Sequence, residues 1–339
     1  MATKKEELNK NRETWIDCMK IIAIYLVIIL HTFGTEKSTI FYYLGTFSIP
    51  LFFMISGYLN IRKNRKYNYC LKKIFSIIKI IFIWNIIYII INICLKKLII
   101  SPKLFILPFW SIIQNFFQYG YFFHFWFLGS LIIIYLILPL ISKIFANKKA
   151  AKTAIIILMI MCIIWNLINI FINYKYNILI NNNIVQTLRI WTWLFYYCMG
   201  GYIYKNNLFS SISKKKHLFL MIFTIVITLI YEYKLSMKLY NSLWAENFYN
   251  SLLVMISSIL IFTYLRKINL KNNKTISVIG TLVMGVYIIH PTIISMFKKL
   301  IITKNDLINL LISIVVFILC FFVSYFINKI PKLNKLIKL

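Results

Sequence analysis

Acidic residues are scarce in this chain of 339 residues: 8 Asp and Glu stand against 39 Lys and Arg, a formal net charge of +31. Charge of either sign accounts for only 14% of positions, against about 25% in soluble domains, so a soluble globule is disfavoured. Nine glycines and six prolines are too few for a collagenous or low-complexity chain. With 61% apolar residues, intrinsic disorder is excluded as well. The cysteines at 18, 70, 94, 162, 198 and 320 form no CxxC pair, and most lie in apolar runs, so neither a disulfide framework nor a metal site is indicated. What remains is an integral membrane protein.

Ten apolar runs follow one another, at about 15–33, 40–59, 74–95, 123–144, 153–173, 186–204, 217–233, 247–265, 276–297 and 307–328. They are continuously rich in Ile, Leu and Phe rather than alternating, which predicts an all-α polytopic helix bundle of about ten spans and not a barrel. The first run has no small-residue cleavage pattern and reads as an uncleaved span. The chain divides into a lead over 1–14, a membrane domain over 15–329 and a basic tail over 330–339, with no soluble domain expected at either end.

The basic residues lie between the apolar runs, not on a soluble face, so the charge reflects topology and anionic lipid, and no nucleic-acid partner is expected. With both termini cytoplasmic, 26 of the 39 Lys and Arg fall in inner segments and 10 in outer loops, as the positive-inside rule requires. Lys20, Lys79 and Arg189 fall within spans. The longest outer connection, about 96–122, contains Pro102 and Pro108 and reads as re-entrant or interfacial.

Ionisable groups inside spans are costly and point to function. The first span has Asp17, Lys20 and His31. Ten residues separate Lys20 from His31, an advance of eleven positions that puts them about 20° apart around a helix and about 16 Å apart along it, on one face. Asp17 is within ion-pair reach of Lys20. Under the stated topology His31, His124 and His290 all lie toward the outer ends of spans, while His217 falls in an inner loop. Three near-neutral proton acceptors at one depth suit general acid/base work on a hydroxyl. A metal site is not expected, because no Asp, Glu or Cys shares that depth. Ser56-Gly57 permits close helix contact in the second span. Arg62 and Arg65, one turn apart after it, suit phosphates of an anionic cytoplasmic donor such as coenzyme A. Trp126 with Tyr119, Tyr121 and Phe123 suits either a sugar platform or an interfacial aromatic belt.

These segments resemble the acyltransferase-3 family of membrane acyltransferases. The stretch Arg12-Glu13-Thr14-Trp15-Ile16-Asp17-Cys18-Met19-Lys20 through His31 is similar to that family's basic residue, ten residues, then histidine. Phe52-Phe53-Met54-Ile55-Ser56-Gly57-Tyr58 resembles its second-span signature, and Arg62 with Arg65 its arginine pair. His124-Phe125-Trp126-Phe127-Leu128, with Tyr135 and Pro139, and Tyr287-Ile288-Ile289-His290-Pro291 resemble two later blocks, in family order. Some members carry a glutamate after the Trp-aromatic-Leu block; Gly129-Ser130-Leu131-Ile132 has none, so no acidic role carries over there. Members with a fused extracellular esterase-like domain are not expected to be the nearest kin of a chain that stops at Leu339.

The resemblance implies transfer of an acyl group, usually acetyl, from acetyl-CoA as co-substrate. The acceptor would be a hydroxyl of a cell-surface glycan or lipid-linked oligosaccharide, in the bacterial cytoplasmic membrane, with envelope-biosynthesis proteins as candidate partners. In this reading His31 is the catalytic base, with Lys20 and Asp17 lining the inner path. Arg62 and Arg65 bind the donor, and His124, Trp126, Tyr287 and His290 contact substrate or support the base. The competing expectation is a transporter or flippase, because intramembrane charges and a proline-interrupted span suit that role equally.

Overall fold

The computed structural model describes residues 13–33, 40–61, 63, 65–94, 108–240, 244–268, 270–300 and 305–338. Twelve α-helices and no strand occur among them. In chain order they are α1 (Thr14–Phe33), α2 (Ile40–Leu44), α3 (Ser48–Ile61), α4 (Tyr67–Cys94), α5 (Pro108–Phe116) and α6 (Trp126–Ile144). Then follow α7 (Lys148–Tyr176), α8 (Ile190–Asn206), α9 (Lys214–Leu235), α10 (Leu252–Lys267), α11 (Lys274–Leu300) and α12 (Asp306–Lys329). Helix starts obey local chemistry. The Asn147 side chain accepts from Lys149 N and Ala150 N ahead of α7, and Asn305, Ser213 and Ser251 cap α12, α9 and α10 in the same way. Asn177, in the left-handed region at φ 56°, ends α7.

Eight helices are long and apolar enough to cross a membrane, and they coincide with eight of the ten expected spans. The expected spans 186–204 and 247–265 are not among the eight: their helices, α8 and α10, have 17 and 16 residues. Both apolar runs begin in irregular chain, at the Gln186–Leu188 and Ala245–Asn247 turns, which the hydropathy pattern counts as span. Irregular backbone at that depth survives because it is enclosed by protein, where Gln186, Thr187, Ala245 and Asn247 are all buried. His217, expected in an inner loop, lies instead in the first turn of α9, buried, with its ring beside Leu260 O at 3.2 Å. Within the expected connection 96–122, residues 108–116 form the short helix α5, and 95–107 lie outside the described residues.

Packing follows a lipid-solvated logic. α1, the α2–α3 segment and α6 are buried among other helices, whereas α7, α9 and α12 present Phe171, Phe219, Phe223, Leu311 and Phe322 outward. Exposed apolar faces of this size are stable against hydrocarbon and not against water. At the centre α3 and α8 touch backbone to backbone. A Cβ added at Gly57 would stand 1.7 Å from Tyr197 O, and one at Gly200 would stand 1.9 Å from Met54 O. The expectation that Ser56-Gly57 allows close contact is therefore met, with the reciprocal small residue on α8 supplied by Gly200. The tail is packed too: Leu336 and Ile337 are buried, and Trp84 Nε1 donates to Leu336 O at 2.9 Å.

Gly57→Ala and Gly200→Ala should each destabilise the protein by about 3 kcal/mol, because the obstacle in each case is backbone that cannot move aside. Thermal unfolding in detergent checks this, with Gly120→Ala, at an exposed turn, as a milder comparison whose cost comes from its φ of 82° and a side-chain contact with Asn115 Oδ1 at 3.0 Å.

Candidate functional site

The two ends of α1 hold different chemistry. At the first turns, Lys20 Nζ donates to Asp17 Oδ1 at 3.1 Å, an ion pair with its carboxylate buried. Asp17 fits there because α11 presents Gly280: a Cβ at that position would meet Asp17 Cβ at 2.5 Å. The end of α3 shares this level, since Tyr58 packs edge-on against Trp15 at 5.1 Å. Just beyond it Arg65 stacks its guanidinium over Tyr69 at 3.8 Å, and its buried Nε has no hydrogen-bond partner. Tyr69 Oη donates to Asn60 Oδ1 at 3.0 Å, and Asn60 Nδ2 in turn donates to Tyr135 Oη at 3.4 Å, so a polar seam runs inward from the arginine. Arg62 lies outside the described residues.

At the opposite end of α1, three histidines meet. His31 comes from the last turn of α1, His124 from the Phe123–Phe125 turn before α6, and His290 from the middle of α11. The His290 ring centroid is 5.2 Å from those of both His31 and His124. His290 and His124 are buried while His31 is partly exposed, so His31 is the member open to the surroundings. Phe123 packs edge-on against His31 at 5.5 Å, and Lys298 lies within electrostatic range of it. Among the described residues no group of three His, Cys, Asp or Glu side chains could hold a metal ion.

The order of Tyr287, His290 and Pro291 has a physical reading. A proline inside a helix withholds the N–H that would bond to the carbonyl four residues earlier, here that of Tyr287. His290 Nδ1 takes this carbonyl instead, at 2.7 Å, with Val286 O at 3.3 Å. Carbonyls only accept, so Nδ1 carries the hydrogen and Nε2 the lone pair. That Nε2 is buried and has no partner, and neither has either nitrogen of His124. Tyr287 contributes again through its hydroxyl, which donates to His124 O. Tyr121 Oη donates to Thr292 Oγ1 at 2.6 Å, which fastens the His124 turn to α11 at a second point. Trp126 is buried against Trp193, centroids 5.1 Å apart, and Tyr121 stacks on Tyr88 at 3.5 Å, while Tyr119 is exposed.

Sequence reading missed two groups. Arg189, which charge counting placed in a span, is buried in the turn before α8 and donates to Ile184 O and Glu246 O at 2.9 Å and also to Asn181 O. The Glu246 carboxylate accepts from Gln186 Nε2 at 2.9 Å and Gln118 Nε2 at 3.2 Å. This latch ties three loops together. The second group is Glu232 of α9, fully buried beside Thr46, with neither carboxylate oxygen hydrogen-bonded. Its signal was present in the sequence: an acid inside the apolar run Ile230-Tyr231-Glu232-Tyr233.

An all-helical bundle with eight helices long and apolar enough to cross a membrane and with large outward apolar faces defines a multi-pass membrane protein. The particular family is shown by sequence comparison: the pattern of the acyltransferase-3 family, described as an acyltransferase domain, matches residues 13–329, and the chain belongs to that family. An amino-acid racemase of Enterococcus faecalis is 24% identical over 337 residues, covering 89% of this chain and 44% of that protein. The chain thus spans less than half the length of that relative. No solved structure matches.

Replacing Arg189 by Met keeps bulk but leaves three carbonyls without their donor. We expect a loss of about 3 kcal/mol, read as a lower melting temperature, with the Lys20–Asp17 end undisturbed.

Proposed function

We propose that this protein transfers an acyl group, acetyl in the first instance, from a cytoplasmic acyl-coenzyme A to a hydroxyl of a cell-surface glycan or lipid-linked sugar. Family membership supports acyl transfer. The single observation that carries the site is the meeting of His31, His124 and His290, from three distant stretches of chain, at one end of the bundle. The biased distribution of Lys and Arg supports an orientation with both termini cytoplasmic, in the bacterial cytoplasmic membrane, which turns the histidine end outward.

In this reading Arg65, with Arg62, holds donor phosphates, its unpartnered Nε being a donor suited to an anion. The Asp17–Lys20 pair lines the path between. His31, the partly exposed histidine, takes the proton of the acceptor hydroxyl as its oxygen bonds to the acyl carbon. The acyl–sulfur bond breaks, and the thiolate is protonated to leave as the free thiol. Acceptors, envelope partners and acyl length are matters of substrate choice that the test below reads out.

A carrier is the second reading, favoured by one observation: Glu232, an unpartnered buried acid inside a span, is the type of residue that ion-coupled transporters use.

Membranes containing wild type should move radiolabel from acetyl-CoA to envelope glycans, and His31→Ala should abolish it at equal protein level. Label unaffected by His31→Ala would remove His31 from the reaction, and no label with the wild type would favour the carrier. Arg65→Ala should raise the KM for acetyl-CoA about tenfold, the loss of one charge-assisted contact, with kcat largely kept.

A further inference from the structure

A histidine can serve as a base only if the nitrogen facing the substrate is the one without the hydrogen, and something must enforce that choice. His31 makes no hydrogen bond within α1 that would do so, and its nearest imidazole is that of His290. In His290 the choice is already made, because Nδ1 is committed to the Tyr287 carbonyl freed by Pro291. The Nε2 lone pair is left buried, unpartnered and available only to an N–H donor.

The ring centres of His31 and His290 lie 5.2 Å apart, close enough for a turn of the rings to bring a nitrogen of each to about 2.9 Å, although in this structure His290 Nε2 has no hydrogen-bond partner. Resting on the acyl-transfer reading, we infer that His290 is the positioning residue for His31. Its Nε2, bare in this structure, takes the N–H of one His31 nitrogen when the two rings turn to face each other, which leaves the other His31 nitrogen as the base for the acceptor hydroxyl. The proton taken from the hydroxyl resides on His31, whose imidazolium keeps its bond to His290, until the departing thiolate receives it. His290 itself gains and loses no proton. An outer carboxylate, the usual orienter of a catalytic histidine, is replaced here by a neutral imidazole whose polarity is set by a proline one residue on. His124, at 5.2 Å on another side of His290, is the competing donor for the same lone pair.

Two substitutions separate the atom from the residue. His290→Gln carries an acceptor near the Nε2 position; His290→Asn reaches only the Nδ1 position. Transfer of radiolabelled acetyl groups from acetyl-CoA to envelope glycans is measured in membranes at matched protein level. His290→Asn should lower kcat about a hundredfold with the acetyl-CoA KM unchanged, while His290→Gln stays within a few-fold of wild type. Wild-type rates in both variants, or equal loss in both, overturn the inference. So does an equal loss in His124→Phe, which would make His124 the donor that matters. His31→Ala is run alongside: full activity there defeats the base assignment itself, whereas an inactive His31→Ala with a normal His290→Asn defeats only the role of His290. A readout free of activity comes from nitrogen NMR of protein isotope-labelled at its four histidines. The resonances lost in His290→Gln should report a protonated Nδ1 and a bare Nε2, and the reverse pattern overturns the inference.

Discussion

A carbonyl in hydrocarbon has no water to turn to, so every backbone group in this bundle must find its partner within the protein. Pro291 opens a gap in that accounting at Tyr287, and the imidazole of His290 closes it. Much of the site depends on that substitution of side chain for backbone. It fixes where the His290 ring lies, which nitrogen holds the hydrogen, and therefore what His290 can offer its two neighbours. The Tyr287 hydroxyl then holds the backbone of the third histidine, so one residue serves the cluster from both its main chain and its side chain. The same demand explains the latch around Arg189, where irregular loops at membrane depth are tolerable only because a buried guanidinium answers their carbonyls.

The ends of α1 carry complementary polarity. A compensated ion pair and an arginine over a tyrosine ring occupy one, and neutral imidazoles occupy the other. Ten residues of apolar helix separate Lys20 from His31. A charged group is inexpensive where it has a partner or reaches the interface, as Lys20 does with Asp17. The distribution of chemistry along α1 is thus the distribution that the bilayer permits.

Most of the fold was legible in the sequence because hydrocarbon imposes length and continuity on each span: eight long helices fall where the apolar runs lie, and Gly57 marks the close crossing. The gathering of His31, His124 and His290 was legible only as a shared depth. Their contact depends on how α1, α6 and α11 are arranged around one another, which no local pattern encodes. Two expected spans coincide with shorter helices because polar turns at 186–188 and 245–247 lead straight into apolar helix, and a hydropathy window does not mark where helix begins. Arg189 and Glu246 were missed for a related reason: their partners are backbone atoms of other loops, and sequence carries no mark of which carbonyls will be left over. Glu232 was there to be read, as an acid in an apolar run.

The backbone contact between α3 and α8 has a mechanical consequence. Gly57 lies under Tyr197 O and Gly200 under Met54 O, so each chain is seated in a notch of the other. Sliding either helix along its axis would drive a carbonyl into a Cβ of the next residue, which makes this crossing a keel and not a bearing. Any rearrangement of the bundle must therefore leave that line in place, and the helices least tied to it are those whose outer faces are exposed and apolar.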